Sequence, residues 1–182
     1  MRMLRQARKA YGHLGQGILM PGVPDRREVN MDEYDKALVF ALKKWISDEI
    51  NEIYDNKVYA VGLTFDSDGA VGYNTKDYAD KNGSMWDISG WKHPEFARVN
   101  SDAAVDGSVE IWSSFKGLSG EDMRTGYFEC AAAAVRELIA DGIIRERFDK
   151  NIPVVIFADG AGGELTRRYT LLANEVPEEV FA

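Results

Sequence analysis

The chain has 182 residues, of which 45% are hydrophobic and 29% are charged. This length suits one domain of ordinary size, and no apolar run approaches the roughly 20 residues needed to span a bilayer. The formal charge of −8 and the pI of about 4.9 oppose binding to the phosphates of DNA or RNA. Composition therefore predicts a soluble protein whose partners include neither nucleic acid nor a membrane.

Residues 1–30 differ in composition from the rest of the chain. They hold six Arg or Lys against two Asp or Glu, a formal charge of +4, whereas residues 31–182 carry −12. Glycine and proline recur through this segment and interrupt any periodicity. We predict a basic, loosely ordered arm over 1–30 and a single α+β domain over 31–182. The codons expected for residues 26–29 are rich in purines and can spell a bacterial ribosome-binding site just before Met31. Met1 and Met31 are therefore both candidates for the native start.

The cellular compartment is predicted from two features. The basic first residues are not followed by the apolar core of a signal peptide. The single cysteine, Cys130, excludes an internal disulfide and fits a reducing environment. A cytoplasmic protein is therefore expected.

The first half of the domain shows one strong helix and one hairpin. Over residues 33–54, apolar side chains recur at spacings of three and four, which predicts an amphipathic helix. Residues 57–66 are rich in β-branched and aromatic types, and a turn at 67–69 connects them to a second predicted strand at 70–73.

The middle of the chain is harder to interpret. A short helix is predicted at 75–82, a polar stretch with two tryptophans at 83–96, and a further helix near 109–115. Periodicity becomes clear again at 120–141, where Ser119 is a candidate N-cap and Gly142 a candidate stop.

After this helix, residues 152–158 read as a buried strand with Pro153 near its start, and a glycine-rich turn and a final segment to 182 follow. No internal repeat and no βαβ repeat is visible. The expected fold is α+β, with a single small and mostly antiparallel sheet covered by helices.

No catalytic motif emerges from the residue types. Only two histidines occur, His13 and His93, and His93 is expected at the surface. Cys130 lies among alanines on a predicted helix, where packing is its ordinary role. The glycines at 160–163 lack the spacing of a phosphate-binding loop. We predict no catalytic residue, no metal and no cofactor.

The two tryptophans in the polar stretch, Trp86 and Trp91, have two possible roles. Aromatic side chains often anchor protein interfaces, but loop aromatics also fill the cores of small sheets. The sequence leaves both roles open.

Several segments together resemble domain-of-unknown-function family 4303. They are a leading helix, the strand at 59–63, Asn74-Thr75 after the hairpin, Trp86 and Trp91, the helix end at 137–142, the strand at 154–157 and the closing segment at 174–181. The resemblance covers residues 31–182. Members of this family are associated with bacterial polymorphic toxin systems, in which they are expected to act as immunity proteins.

The resemblance implies a protein that binds a cognate toxin and neutralises it stoichiometrically. If that toxin is a nuclease, its cleft is basic, and acidic groups on this chain would take the place of phosphates. Candidate contacts are the acidic residues expected to be exposed and the two tryptophans: Asp66, Asp68, Asp102, Asp106, Glu121, Asp122, Trp86 and Trp91.

Two alternatives from other classes remain at this point. One is a small enzyme of unfamiliar type with a pocket near residues 86–93, which would require convergent polar groups in a concave site. The other is an interaction module outside toxin biology.

Overall fold

The computed structural model describes residues 31–65, 69–78, 90–98, 103–158 and 163–175. The elements in these ranges are, in chain order, α1 (Glu33–Asn51), β1 (Val58–Phe65), β2 (Gly69–Thr75), β3 (His93–Arg98), α2 (Ala103–Lys116), α3 (Gly120–Ala140), α4 (Ile143–Phe148), β4 (Val154–Phe157) and α5 (Glu164–Asn174). The predicted α+β class is confirmed.

The described strands form one mixed sheet in the order β3-β2-β1-β4. β1 pairs antiparallel with β2, with Val61 opposite Tyr73, and β2 pairs antiparallel with β3. β4 lies parallel to β1, with Val61 opposite Val154. A parallel neighbour requires a long crossover, and the three helices between β3 and β4 supply it. The sheet is therefore not purely antiparallel.

The two faces of the sheet are buried by different parts of the chain. Side chains alternate along each strand, so Val61 and Leu63 face the main core together with the helices. Ala60 and Val155 face the other way and pack with Trp91. A Cβ at Gly62 would lie 2.9 Å from Cζ3 of Trp91, so the glycine allows the indole to lie directly on the sheet.

Two long helices build the layer over the main core. α1 begins with a capping box, in which the Asp32 carboxylate accepts from the backbone N–H of Asp35 and the Asp35 carboxylate accepts from that of Asp32. α3 carries a run of buried alanines, Ala131–Ala134, that lets α1 and α5 approach closely. Both helices were predicted, and α3 ends where Gly142 takes a left-handed φ of 79°.

The closing segment contains α5, a helix that sequence patterns did not predict. It covers the free edge of β4. Thr166 Oγ1 accepts from the N–H of Ala158 at 3.0 Å, and Thr170 Oγ1 accepts from that of Ile156 at 2.9 Å. Asn174 accepts from the N–H of Val154 at 2.9 Å and donates to its carbonyl at 2.7 Å. We call these contacts the α5–β4 seam.

The seam contacts form at three successive positions because the spacing of residues along α5 matches the spacing along β4. Helix positions four apart are separated by about 6 Å along the axis, and strand positions two apart by about 6.6 Å. Thr166, Thr170 and Asn174 therefore meet alternate residues of β4. The N–H groups of Val154, Ile156 and Ala158 and the carbonyl of Val154, which an edge strand would leave open for another chain, are thus paired within the molecule.

The structure adds detail to other expectations. β3 lies partly within the polar stretch at 83–96, for which no strand was predicted, and α2 begins earlier than the helix predicted near 109–115. His93 is half-buried rather than fully at the surface, because its ring packs on Tyr73 at 4.5 Å between centroids. Of the predicted helix at 75–82, Thr75 is instead the last residue of β2, residues 76–78 are helical, and residues 79–82 lie outside the described residues.

The predicted arm at 1–30 and most of the glycine-rich turn at 160–163 lie outside the described residues. Among the helices that the structure describes, no helix has the length and apolar character needed to cross a membrane.

Candidate functional site

A groove opens where the start of α1, the end of α2 and the first half of α3 meet. Its volume is about 390 Å³. The apolar part of its lining comes from Met31, Leu118 and the indole of Trp112. The polar part comes from Asp35, Lys116, Asp122, Thr125, Glu129 and Cys130. The volume lies at the lower end of the range for ligand sites, roughly 300 to 1,000 Å³.

Asp35 is the polar centre of this groove. Its Oδ1 accepts from Trp112 Nε1 at 2.8 Å and from Lys116 Nζ at 2.7 Å, and Oδ2 accepts from the same ammonium at 2.8 Å. Asp32 completes the cluster with an oxygen 3.0 Å from Lys116 Nζ. A largely buried carboxylate is thus balanced by one cation and one neutral donor.

The local sequence explains how these groups meet. The capping box fixes Asp32 and Asp35 at the start of α1, and Lys116 is the last residue of α2. On α3, a Cβ at Gly126 would lie 3.0 Å from Cζ2 of Trp112. Glycine at this position therefore leaves space for the indole that donates to Asp35.

The cluster sets the charge of the groove. Burial by itself lowers the pKa of Lys116, but hydrogen bonds to Asp35 and Asp32 outweigh it, and the pKa is raised. The pKa of Asp32 is lowered, first by the backbone N–H of Asp35 and then by Lys116. Asp32 and Asp35 contact the Lys116 ammonium, and Asp122 and Glu129 line the same groove, so these five described residues carry a formal charge of −3.

Cys130 lies at the base of the groove and is not poised for nucleophilic chemistry. It is 2% exposed, and its sulfur lies 4.0 Å from Asp35 Oδ1. Burial, and then the Asp35 carboxylate, raises the pKa of Cys130 to about 12. The place of Cys130 in the main core confirms the predicted packing role, and the raised pKa keeps the thiol protonated near neutral pH.

Next to the groove, α1 and α2 present an exposed apolar surface. The rings of Tyr34 and Phe115 stack with centroids 4.5 Å apart and an interplanar angle of 14°. Phe115 is nevertheless 66% exposed, and Ile111, one turn earlier on α2, is 56% exposed. We call Tyr34, Ile111 and Phe115 the helical face. The helical face lies beside the groove, because Tyr34 stacks on Phe115 while the next residue along each helix, Asp35 and Lys116, forms the ion pair that lines the groove.

The structure separates the residues predicted to contact a toxin. Asp122 lines the groove and Glu121 is exposed beside it at the start of α3. Trp91 is 3% exposed and occupies the core beneath the sheet, so the core role suggested for it is the one observed. Asp106 lies in α2, but its side chain is not described. The remaining candidates, Asp66, Asp68, Trp86 and Asp102, fall outside the described residues.

Sequence reasoning missed the residues at the centre of the site. Asp32 and Asp35 carry the N-cap signal of an acidic residue followed three positions later by another hydrogen-bonding side chain. Trp112 and Lys116 are four apart on one helix and therefore share a face. No local pattern indicates that these two pairs meet, because their separation along the chain is about 80 residues.

No metal site was found in the described ranges, where no three His, Cys, Asp or Glu side chains are grouped to hold an ion. Comparisons of the chain with protein-family models, with curated proteins and with solved structures found no match. The resemblance to domain-of-unknown-function family 4303 therefore stays a prediction.

Proposed function

We propose that the protein acts by binding another protein, and specifically that it neutralises a cognate bacterial toxin by stoichiometric association. The observation that carries this proposal is the helical face beside the acidic groove. Large apolar side chains there are exposed to water at the edge of a region of net negative charge. Exposed aromatic residues with a polar rim are typical of protein interfaces.

The overall charge supports the same role. Residues 31–182 carry a formal charge of −12. A partner with a basic surface would be attracted over several ångströms before contact, which raises the association rate. A nuclease is one such partner, since its nucleic-acid cleft is basic. The family resemblance supplies the specific role of immunity protein, acting in the cytoplasm.

The enzyme alternative receives less support from the described residues. Trp91 and His93 were expected to border its pocket, yet Trp91 lies on Gly62 and His93 packs on Tyr73. In the groove, Asp35 already accepts three hydrogen bonds from side chains, and Cys130 is protonated. Neither group is arranged as a general base or nucleophile.

The proposal is tested by affinity capture of the tagged full-length protein from its native host, in low and in moderate salt, followed by mass spectrometry. We expect a basic protein in a stoichiometric amount, retained better in low salt. That protein is then expressed alone and together with this chain in a bacterial host. Growth should stop in the first case and continue in the second.

A captured protein that is harmless when expressed alone would contradict toxin neutralisation but leave protein binding intact. If the candidate toxin is produced and does not co-elute in low salt, the proposal fails. An unrelated acidic protein of similar size, tagged in the same way, is the control for attraction by charge alone.

A further inference from the structure

We infer that the helical face and the adjoining groove form one docking surface, and that its occupant is a segment of a partner protein that carries both apolar and basic side chains. The apolar side chains would pack on Phe115 and Ile111, and a lysine or arginine would enter the groove. This deepens the proposed function, on which it rests for the identity of the partner.

The apolar half of the inference rests on exposure. Phe115 and Ile111 are one helical turn apart on α2, and together they present a continuous apolar strip. The stack with Tyr34 holds the Phe115 ring in one orientation. A ring held in place loses little conformational entropy when a partner covers it, and such residues are frequent among interface hot spots.

The basic half rests on charge complementarity. Lys116 is shared between Asp32 and Asp35, and its ammonium lies within 3.0 Å of an oxygen of each. Asp122 and Glu129 line the same groove, which gives the region its surplus of carboxylates. A cationic side chain from a partner would offset that surplus, whereas an acidic one would add to it. Basic chemistry is therefore the chemistry that this surface selects.

The probe for this surface is a fluorescein-labelled peptide of leucine and lysine at helical spacing, titrated with the full-length protein and followed by fluorescence anisotropy. A leucine and glutamate peptide of the same pattern is the control. We expect the lysine peptide to bind in low salt and the glutamate peptide not to bind. Failure of the lysine peptide to bind would overturn the inference.

Two pairs of variants locate the binding. The double variant I111S/F115S should weaken binding by about tenfold or more, the size of effect expected of hot-spot residues. F40S is its control, because Phe40 on α1 is 69% exposed but does not belong to the helical face. It should leave affinity within about twofold. Equal losses in I111S/F115S and F40S would place the binding elsewhere and overturn the inference.

The groove is tested in the same way. D122N/E129Q should weaken binding by about fivefold in low salt, and by less in high salt because the charges are then screened. The control E146Q/D149N removes the same number of charges from exposed positions in and just after α4. If both double variants weaken binding equally, attraction by overall charge explains the result and the groove is not involved.

A second measurement does not depend on the folding of variants. The Trp112 indole N–H donates to Asp35 within the groove, so its NMR resonance should move as the lysine peptide is added to the wild-type protein. An unmoved Trp112 resonance at saturation would contradict entry into the groove. A concentration-dependent dimer that is lost in I111S/F115S would make a second copy the occupant and would also overturn the inference.

The outcomes separate this inference from the proposed function. If a toxin is captured and its binding is unaffected by I111S/F115S and D122N/E129Q, the immunity role stands and the docking surface is wrong. If the peptide binds as expected but the candidate toxin is produced and does not co-elute, the surface stands and the immunity role fails.

Discussion

The α5–β4 seam and the groove beside α2 both place polar side chains between packed elements, and they use them differently. In the seam, Thr166 and Thr170 are fully buried and neutral, and their hydroxyls accept from backbone N–H groups of β4. In the groove the polar groups are charged, part of the cluster is open to water, and carboxylates outnumber ammonium groups. The seam is complete within the chain, whereas the groove retains unbalanced charge.

This difference indicates what each region can do. A buried neutral group that already has its hydrogen bonds gains nothing from a partner, and its loss leaves the backbone unsatisfied. The charged side chains of the groove are partly exposed to water, so a partner's cation can replace that water at a low cost in free energy. We therefore expect substitutions in the seam to affect folding and substitutions at the groove to affect binding.

The largest loss of stability is expected from Asn174→Leu. The substitution removes the side-chain partners of both backbone groups of Val154 and a further bond to the Thr170 carbonyl. Unsatisfied groups cost about 1 to 3 kcal/mol each, so the free energy of unfolding should fall by roughly 3 kcal/mol. Urea unfolding followed by circular dichroism measures it. Asn51→Leu, at an exposed position, should change the free energy of unfolding little. An equal loss in the two variants would contradict a stabilising role for the seam contacts.

A smaller loss is expected from Thr170→Val, which keeps the shape of the side chain but removes the acceptor for the Ile156 N–H. The free energy of unfolding should fall by about 1 to 2 kcal/mol. Thr170→Ser keeps the hydroxyl and provides the matched control. Amide hydrogen exchange at Ile156 should accelerate in the valine variant and not in the serine variant; unchanged exchange in both would show that the hydroxyl is dispensable.

In the groove, Asp35→Asn should lower the free energy of unfolding by about 1 kcal/mol, less than Asn174→Leu does. The amide still accepts from Trp112, and Lys116, whose side chain is 26% exposed, retains Asp32 and water as partners. Asp48→Asn breaks the exposed ion pair between Asp48 and Lys44 and should cost less than about 0.5 kcal/mol. If Asp35→Asn lowers the free energy of unfolding as much as Asn174→Leu does, the groove contributes as much to stability as the seam.

The stability of the protein at low pH should depend on the ionisation of Asp32, the N-cap of α1. Since the pKa of Asp32 is lowered from 3.8 in the folded state, its ionised form stabilises the fold above that pH. This contribution is lost as the pH falls through the folded pKa. Asp32→Ser keeps a capping hydroxyl but cannot titrate, so its thermal midpoint should approach that of the wild type at the lowest pH. A constant difference at all pH values would contradict this assignment.

The smallest change is expected when the native protein is treated with a thiol reagent, because Cys130 should hardly react. It is buried and has a pKa of about 12, so a disulfide reagent such as dithionitrobenzoate should not label it at pH 8. In denaturant the single thiol should react completely. Rapid labelling of the native protein would show that the base of the groove opens, and it would renew the case for nucleophilic chemistry there.

Strong periodicity was a sufficient guide to part of the fold. The helix predicted at 33–54 is α1, and the helix predicted at 120–141 is α3, because each buries one continuous apolar stripe. α5 escaped prediction because its buried face carries Thr166 and Thr170, polar residues that read as surface in the sequence. Similarly, β3 contains Pro94 and Glu95, which are unusual in a strand, and it was missed.

The amino-acid sequence by itself determined the composition of an acidic α+β domain, its two main helices, its hairpin strands and the absence of familiar catalytic motifs. These features depend on local periodicity and on residue type. Only the tertiary structure decided that β4 lies parallel to β1, that α5 seals its edge, and that Asp35 meets Trp112 and Lys116. The reason is physical: hydrogen bonds and ion pairs between residues far apart in the chain depend on how helices and strands pack, and short-range patterns do not encode that packing.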